Sequence, residues 1–153
     1  MLLDILQWVT IVLVALVAGV FWGPWLGLSR AMRTLPPETF LSIGQTMIRL
    51  LAPIMPVLTI LAAIAQVALL VATLGQGPRV ASALIAVGLA LYLVALIVTL
   101  AVEVPIDKKI RAWSAASLPA DWKALRDRWE RFHTVRTWSA LAGFAALVSA
   151  VVQ

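Results

Sequence analysis

Four apolar runs, each bounded by charged or turn-forming residues, constrain this 153-residue chain more than any other feature of it. A helix needs about 20 mostly apolar residues to cross the roughly 30 Å of hydrocarbon in a bilayer, where its backbone can bond only to itself. Ile5 to Leu28, Leu50 to Leu74 and Val80 to Val102 meet that length outright. The fourth run, Trp138 to Val152, is too short alone, so its helix is expected to begin further back and to draw Phe132 to Thr137 towards the headgroups. The spans expected of a single domain, 1–153, are therefore 5–28, 50–74, 80–102 and 132–152. With 63% hydrophobic and only 12% charged residues, the chain cannot present an ordinary soluble surface. The expected fold class is all-α, an integral membrane four-helix bundle with cytoplasmic helical extensions.

The first run reads as an uncleaved span, because Asp4 is the only ionisable side chain before it and a secretory leader starts with a basic segment. Trp8 near one end and Trp22 and Trp25 near the other are spaced as two interfacial aromatic belts. Gly23-Pro24 predicts a kink, since proline leaves the carbonyl of Val20 without its usual donor. The turn Gly75-Gln76-Gly77-Pro78-Arg79 can join only antiparallel neighbours, which makes spans two and three a hairpin. Eleven of the twelve Lys and Arg residues fall in the two other connections, leaving Arg79 alone on the opposite side. The positive-inside rule then puts both termini outside and both long connections in the cytoplasm, with a bacterial inner (plasma) membrane as the expected location. In the first of these, Phe40, Ile43, Met47 and Leu51 form one helical stripe, with Ser42, Gln45 and Arg49 elsewhere on the circumference. A helix begun at Pro37 and continued through span two would be about 57 Å long, and would project from the bilayer.

The second connection ends in RDRWERFHTVRTW, residues 126–138, which holds the only histidine of the chain. On a wheel of about 100° per residue, Trp122, Leu125, Phe132, His133 and Arg136 cluster around Trp129, while Lys123, Asp127, Glu130 and Arg131 take the opposite, solvated side. His133 and Arg136 thus share the inward face. An ionisable group there needs a partner or water, and Glu103 and Asp107, which follow span three, supply carboxylates to pair with Arg136 or orient His133. The plainer alternative has Arg136 snorkelling to the headgroups beside a neutral, packed His133. Trp122 and Trp129, with Trp25, are the candidates to hold an aromatic ligand. Met32, Met47 and Met55 read as packing residues.

Several chemistries are excluded by inventory. Without cysteine there is no disulfide, thiolate nucleophile or cysteine-held metal. One histidine cannot supply a di-iron carboxylate site or a three-histidine zinc site. No Gly-rich phosphate loop or serine–histidine–acid spacing occurs. The net charge of +5 flanks apolar runs and so faces membrane lipid rather than nucleic acid. A transporter is disfavoured because only Gln66 and hydroxyls are polar midway through the spans. Two roles remain for one histidine: a general base aided by a cation, or the axial ligand of a haem with Arg136 near a propionate.

The run from Glu103-Val104-Pro105-Ile106-Asp107 through Trp113 and Leu118-Pro119-Ala120-Asp121-Trp122 to Leu125–Thr137 resembles the signature of the anthrone oxygenase-like family of small four-span membrane proteins. The resemblance implies oxidation of a lipophilic, anthrone-like aromatic near the cytoplasmic face. On that implication His133 takes a proton, Arg136 steadies an oxyanion, Glu103 or Asp107 orients one of them, and Trp122 and Trp129 hold the rings. A reading of another class is a non-catalytic membrane subunit that docks a partner, or assembles as a homo-oligomer. It rests on the stripe at Phe40, Ile43 and Met47 and the basic face at Lys108, Lys109 and Arg111.

Overall fold

Prolines decide where the helices of this chain stop and bend. The computed structural model describes residues 1–75 and 78–152, and forms five helices: α1 (Leu2–Met32), α2 (Pro37–Leu51), α3 (Met55–Thr73), α4 (Arg79–Ala112) and α5 (Trp122–Val151). All but α2 are long and apolar enough to cross a membrane, and no strand occurs among the described residues. The chain is an all-α integral membrane protein. Gln76 and Gly77 of the expected hairpin turn lie outside the described residues. Beside them Gly75 has φ +78°, a left-handed conformation that glycine adopts without steric cost.

Pro36 is extended and Pro37 occupies the first position of α2, where a missing N–H costs nothing. The expectation of one long helix running from Pro37 through span two is corrected here. Pro53 and Pro56 remove the donors that the carbonyls of Arg49 and Ala52 would use, so the chain turns at 52–54 and restarts at Met55. Freed from α3, α2 packs Phe40 and Leu41 against Ile106 and Ile110 of α4. Gln45, expected off the packing stripe, lies on the contact face: its Nε2 donates to the carbonyls of Ile110 and Trp113, both at 2.9 Å. The Ile110 carbonyl also accepts from the Trp113 N–H at 3.2 Å, so Gln45 adds a side-chain cap to the end of α4.

Prolines also widen two spans without ending them. In α1 the turn Pro24–Leu28 is π-helical, with the Ser29 N–H donating to the Pro24 carbonyl. In α4 the same happens over Thr99–Glu103, just before Pro105. Single π turns of this kind recur at functional sites, and both lie at the end of the bundle that carries the basic residues, called the basic end below.

Towards the other end the packing is dry. Lipid is as apolar as a leucine side chain, so helices in a bilayer associate through close approach of small residues. Gly88 of α4 faces Gly143 of α5, where a Cβ on Gly143 would stand 2.9 Å from the Gly88 carbonyl oxygen. Val14, Val17, Leu69, Ile85 and Leu147 fill the layer around this contact. The Tyr92 hydroxyl donates to the Thr59 carbonyl at 2.9 Å and ties α4 to α3. Ile64, Val67, Val71 and Ile97 point outward, as lipid-facing residues do. Asp121 occupies the N-cap position of α5 without a side-chain cap bond, and α5 then runs unbroken for 30 residues from the basic flank into the bilayer.

Candidate functional site

Spacings of three and four residues bring side chains onto one helical face, and two such sets meet at the basic end. Helix α5 contributes Trp129, His133 and Arg136, while α4 contributes Thr99, Glu103 and Asp107. Arg136 is the hub. Its Nη2 lies 2.5 Å from Glu103 Oε2, a close charge contact that lacks hydrogen-bond directionality. Its Nε donates to His133 Nδ1 at 3.0 Å and its Nη1 donates to Thr99 Oγ1 at 3.4 Å. The ring of Phe21, from α1, closes over the guanidinium with its centroid 4.5 Å from Cζ. His133 and Glu103 are buried, whereas the Arg136 side chain keeps 12% of its surface.

This arrangement assigns the histidine tautomer. An arginine Nε always carries its proton, so Nδ1 accepts and the neutral ring holds its own proton on Nε2. The Nε2–H is buried without a well-aligned acceptor, and the Phe21 backbone is the polar group within reach of the ring. One face of the ring stacks on Trp129, with centroids 4.7 Å apart. The Trp129 Nε1–H in turn donates to Asp107 Oδ1 at 3.0 Å. Asp107 is half-buried and makes no ion pair among the described residues.

These groups border a cavity of about 470 Å³, within the range of roughly 300–1,000 Å³ typical of small-molecule sites. All five helices line it. Val20, Phe21 and Leu28 come from α1, Met47 and Ile48 from α2, Met55 and Ile60 from α3, and Leu96 and Leu100 from α4. Asp107, Trp129, His133 and Arg136 belong to the polar part of the wall, together with Lys108, Arg111, Arg126 and Glu130.

The structure thus gathers Glu103, Asp107, Trp129, His133 and Arg136, but not the other two tryptophans. Trp122 packs on Phe40, with the Arg126 guanidinium over its ring. Trp25 stacks on Trp22, meets Trp138 edge-on, and donates from Nε1 to Thr134 Oγ1 at 3.0 Å. Neither reaches the cavity wall. Glu130, expected on the solvated side, is half-buried: Arg33 reaches across from the end of α1 to contact its carboxylate at 2.5 Å. Phe21 and Thr99 escaped the sequence reading, since an apolar ring and a helix hydroxyl carry no chemical signal until a guanidinium is seen beside them. Met32, Met47 and Met55 line the cavity.

A haem fits this histidine poorly. Axial ligation needs a lone pair on one ring nitrogen and an acceptor for the proton on the other. Here Nδ1 already faces a permanent donor, and Nε2 carries the proton.

No curated protein and no solved structure matches the chain. The family model described as anthrone oxygenase matches residues 45–146, a stretch that omits α1 with Phe21 but contains every member of the charged cluster. With well over half its length matched, and Glu103, Asp107, Trp129, His133 and Arg136 all inside the match, the chain belongs to the anthrone oxygenase family.

Proposed function

We propose that the chain is a membrane oxygenase that admits a flat, lipophilic aromatic with an acidic methylene into the five-helix cavity, and oxidises that methylene with dioxygen. The supporting observation is one apolar cavity bordered by both a clamped guanidinium, Arg136, and a carboxylate without a cation, Asp107. In an anthrone-like molecule the methylene lies across the ring from a carbonyl. Asp107 takes a methylene proton, and the electron pair spreads onto the carbonyl oxygen, where Arg136 stabilises the charge. Dioxygen, which partitions into apolar surroundings, accepts electrons from this anion and forms a carbon–oxygen bond, and protonation gives a hydroperoxide. Loss of the second methylene proton breaks the oxygen–oxygen bond, releases water and leaves a new carbonyl. The sum is methylene plus O₂ to carbonyl plus water.

In this reading His133 is a positioning residue. Its Nδ1 is engaged by Arg136, so the proton-accepting role passes to Asp107, and His133 fixes the guanidinium from behind. Trp129 positions Asp107 through its indole N–H and offers a ring for stacking. On the positive-inside rule the basic end is cytoplasmic, both termini are outside, and a membrane-dissolved substrate enters near the inner headgroups.

The test is direct. Purified protein in lipid nanodiscs is given anthrone, and anthraquinone absorbance is followed together with oxygen uptake. The expected result is one O₂ consumed per quinone formed, with Arg136→Gln and Asp107→Asn each slowing the initial rate by about 10²-fold. A rate equal to that of empty nanodiscs overturns the proposal.

A further inference from the structure

We infer that the mouth of the cavity carries an anion subsite formed by Lys108 and Arg111, and that the ligand is an aromatic amphiphile bearing a carboxylate. The inference rests on the reading of the cavity as a site for a lipophilic aromatic. Its starting point is how unevenly the cations of the cavity wall are partnered. Arg136 has Glu103 at 2.5 Å and Arg126 has Asp127 at 2.9 Å. Lys108 and Arg111 both line the cavity, yet make no ion pair among the described residues.

General attraction to lipid headgroups does not account for this placement. All three cations of this turn are exposed, but Lys109, between the two, lies off the cavity wall, whereas Lys108 and Arg111 border it. Lys108 and Arg111 are three residues apart, one above the other on the cavity side of α4. Two like charges at that spacing repel each other unless an anion lies between them. A carboxylate meets the need best, since a guanidinium binds it with two parallel hydrogen bonds and an ammonium adds a third.

Reach supports the same ligand. Along α4, Lys108 and Arg111 lie roughly 8 and 12 Å beyond Glu103, the residue that holds Arg136, at 1.5 Å per residue. A rigid fused-ring body of that length sets its carbonyl by Arg136 and its acidic substituent at the mouth. The subsite therefore fixes which end of the molecule enters first. A lipid phosphate offers the same anionic chemistry, and the experiment separates the two sources.

Protein in phosphatidylcholine nanodiscs is titrated with anthraquinone-2-carboxylate and with the neutral anthraquinone-2-carboxamide, by quenching of tryptophan fluorescence. The carboxylate is expected to bind about tenfold tighter or more, the size of a charge-assisted hydrogen bond. Lys108→Gln/Arg111→Gln should abolish that preference while leaving carboxamide binding intact, which also shows that the variant is folded. Lys109→Gln should preserve it. Equal binding of the two probes by the parent protein overturns the subsite and leaves the cavity reading standing. Binding of neither overturns the cavity reading itself. Loss of the preference in phosphatidylglycerol nanodiscs assigns the two cations to lipid phosphate and overturns the proposal.

Discussion

Helices α4 and α5 pack along an extended face, and at two places on it they are held by opposite means. Around Gly88 and Gly143 the contact works because nothing is there: two missing side chains let carbonyl oxygens approach to a distance that a Cβ would occupy. Around Arg136 it works because one guanidinium gathers a carboxylate, an imidazole, a hydroxyl and an aromatic ring. The first contact is governed by volume and the second by charge. A substitution harmless in one should be ruinous in the other.

The sharpest way to break the charged contact is Glu103→Leu, which leaves Arg136 buried without its anion and should cost about 3–5 kcal/mol in denaturant unfolding from detergent micelles. Glu103→Leu combined with Arg136→Met should recover most of that loss while oxidising no anthrone. If the single variant unfolds like the parent, the ion pair does not hold α4 to α5. His133→Ala removes the acceptor of Arg136 Nε and should cost about 1–3 kcal/mol, with kcat reduced and KM held. His133→Gln, whose side-chain oxygen can accept from Arg136, should restore kcat in large part. A base cannot be replaced in that way, so failure of the glutamine rescue would return the proton-accepting role to His133.

At the glycine contact the comparable change is Gly143→Ala, expected to lose about 1–3 kcal/mol through overpacking. Gly19→Ala, where a Cβ meets nothing within 4 Å, should leave the melting temperature unchanged or raise it slightly. Equal effects at the two glycines would show that close approach is not what joins α4 to α5. The smallest effect belongs to Gln66, fully buried in the dry half with its Oε1 unpartnered and its Nε2 3.4 Å from the Ala62 carbonyl. Gln66→Leu should be neutral or stabilise by up to about 1 kcal/mol, as expected where apolar volume replaces an unsatisfied amide. A large loss in thermal melts would mean that the dry half also depends on polar bonding.

How far each contact could be read in advance follows from the same distinction. The charged one left a trace, since a histidine and an arginine three residues apart on an apolar face need partners, and Glu103 and Asp107 were the nearest carboxylates. What the wheel cannot express is order: it put His133 and Arg136 on one face, but not that the guanidinium bridges His133 and Glu103 while the imidazole stands behind it. Glu130 was misplaced for a related reason, because its partner Arg33 lies 97 residues away in sequence. The glycine contact left no trace, since a glycine in one span says nothing about which of three other helices approaches it. The break at Pro53 was legible in principle. Pro53 and Pro56 read as kinks in the span, like Pro24, but two donors lost three residues apart end the helix instead of bending it.

The placement of Glu103 and Arg136 on consecutive spans has a consequence for how the protein reaches its membrane. A lone carboxylate on α4 and a lone guanidinium on α5 each burden a helix that enters the bilayer by itself. Because only the short segment from Trp113 to Asp121 separates the two helices, they can insert as one hairpin in which the opposite charges have already met. The pair that shapes the site thereby also sets a unit of assembly, with α4 and α5 entering together and their buried charges already neutralised.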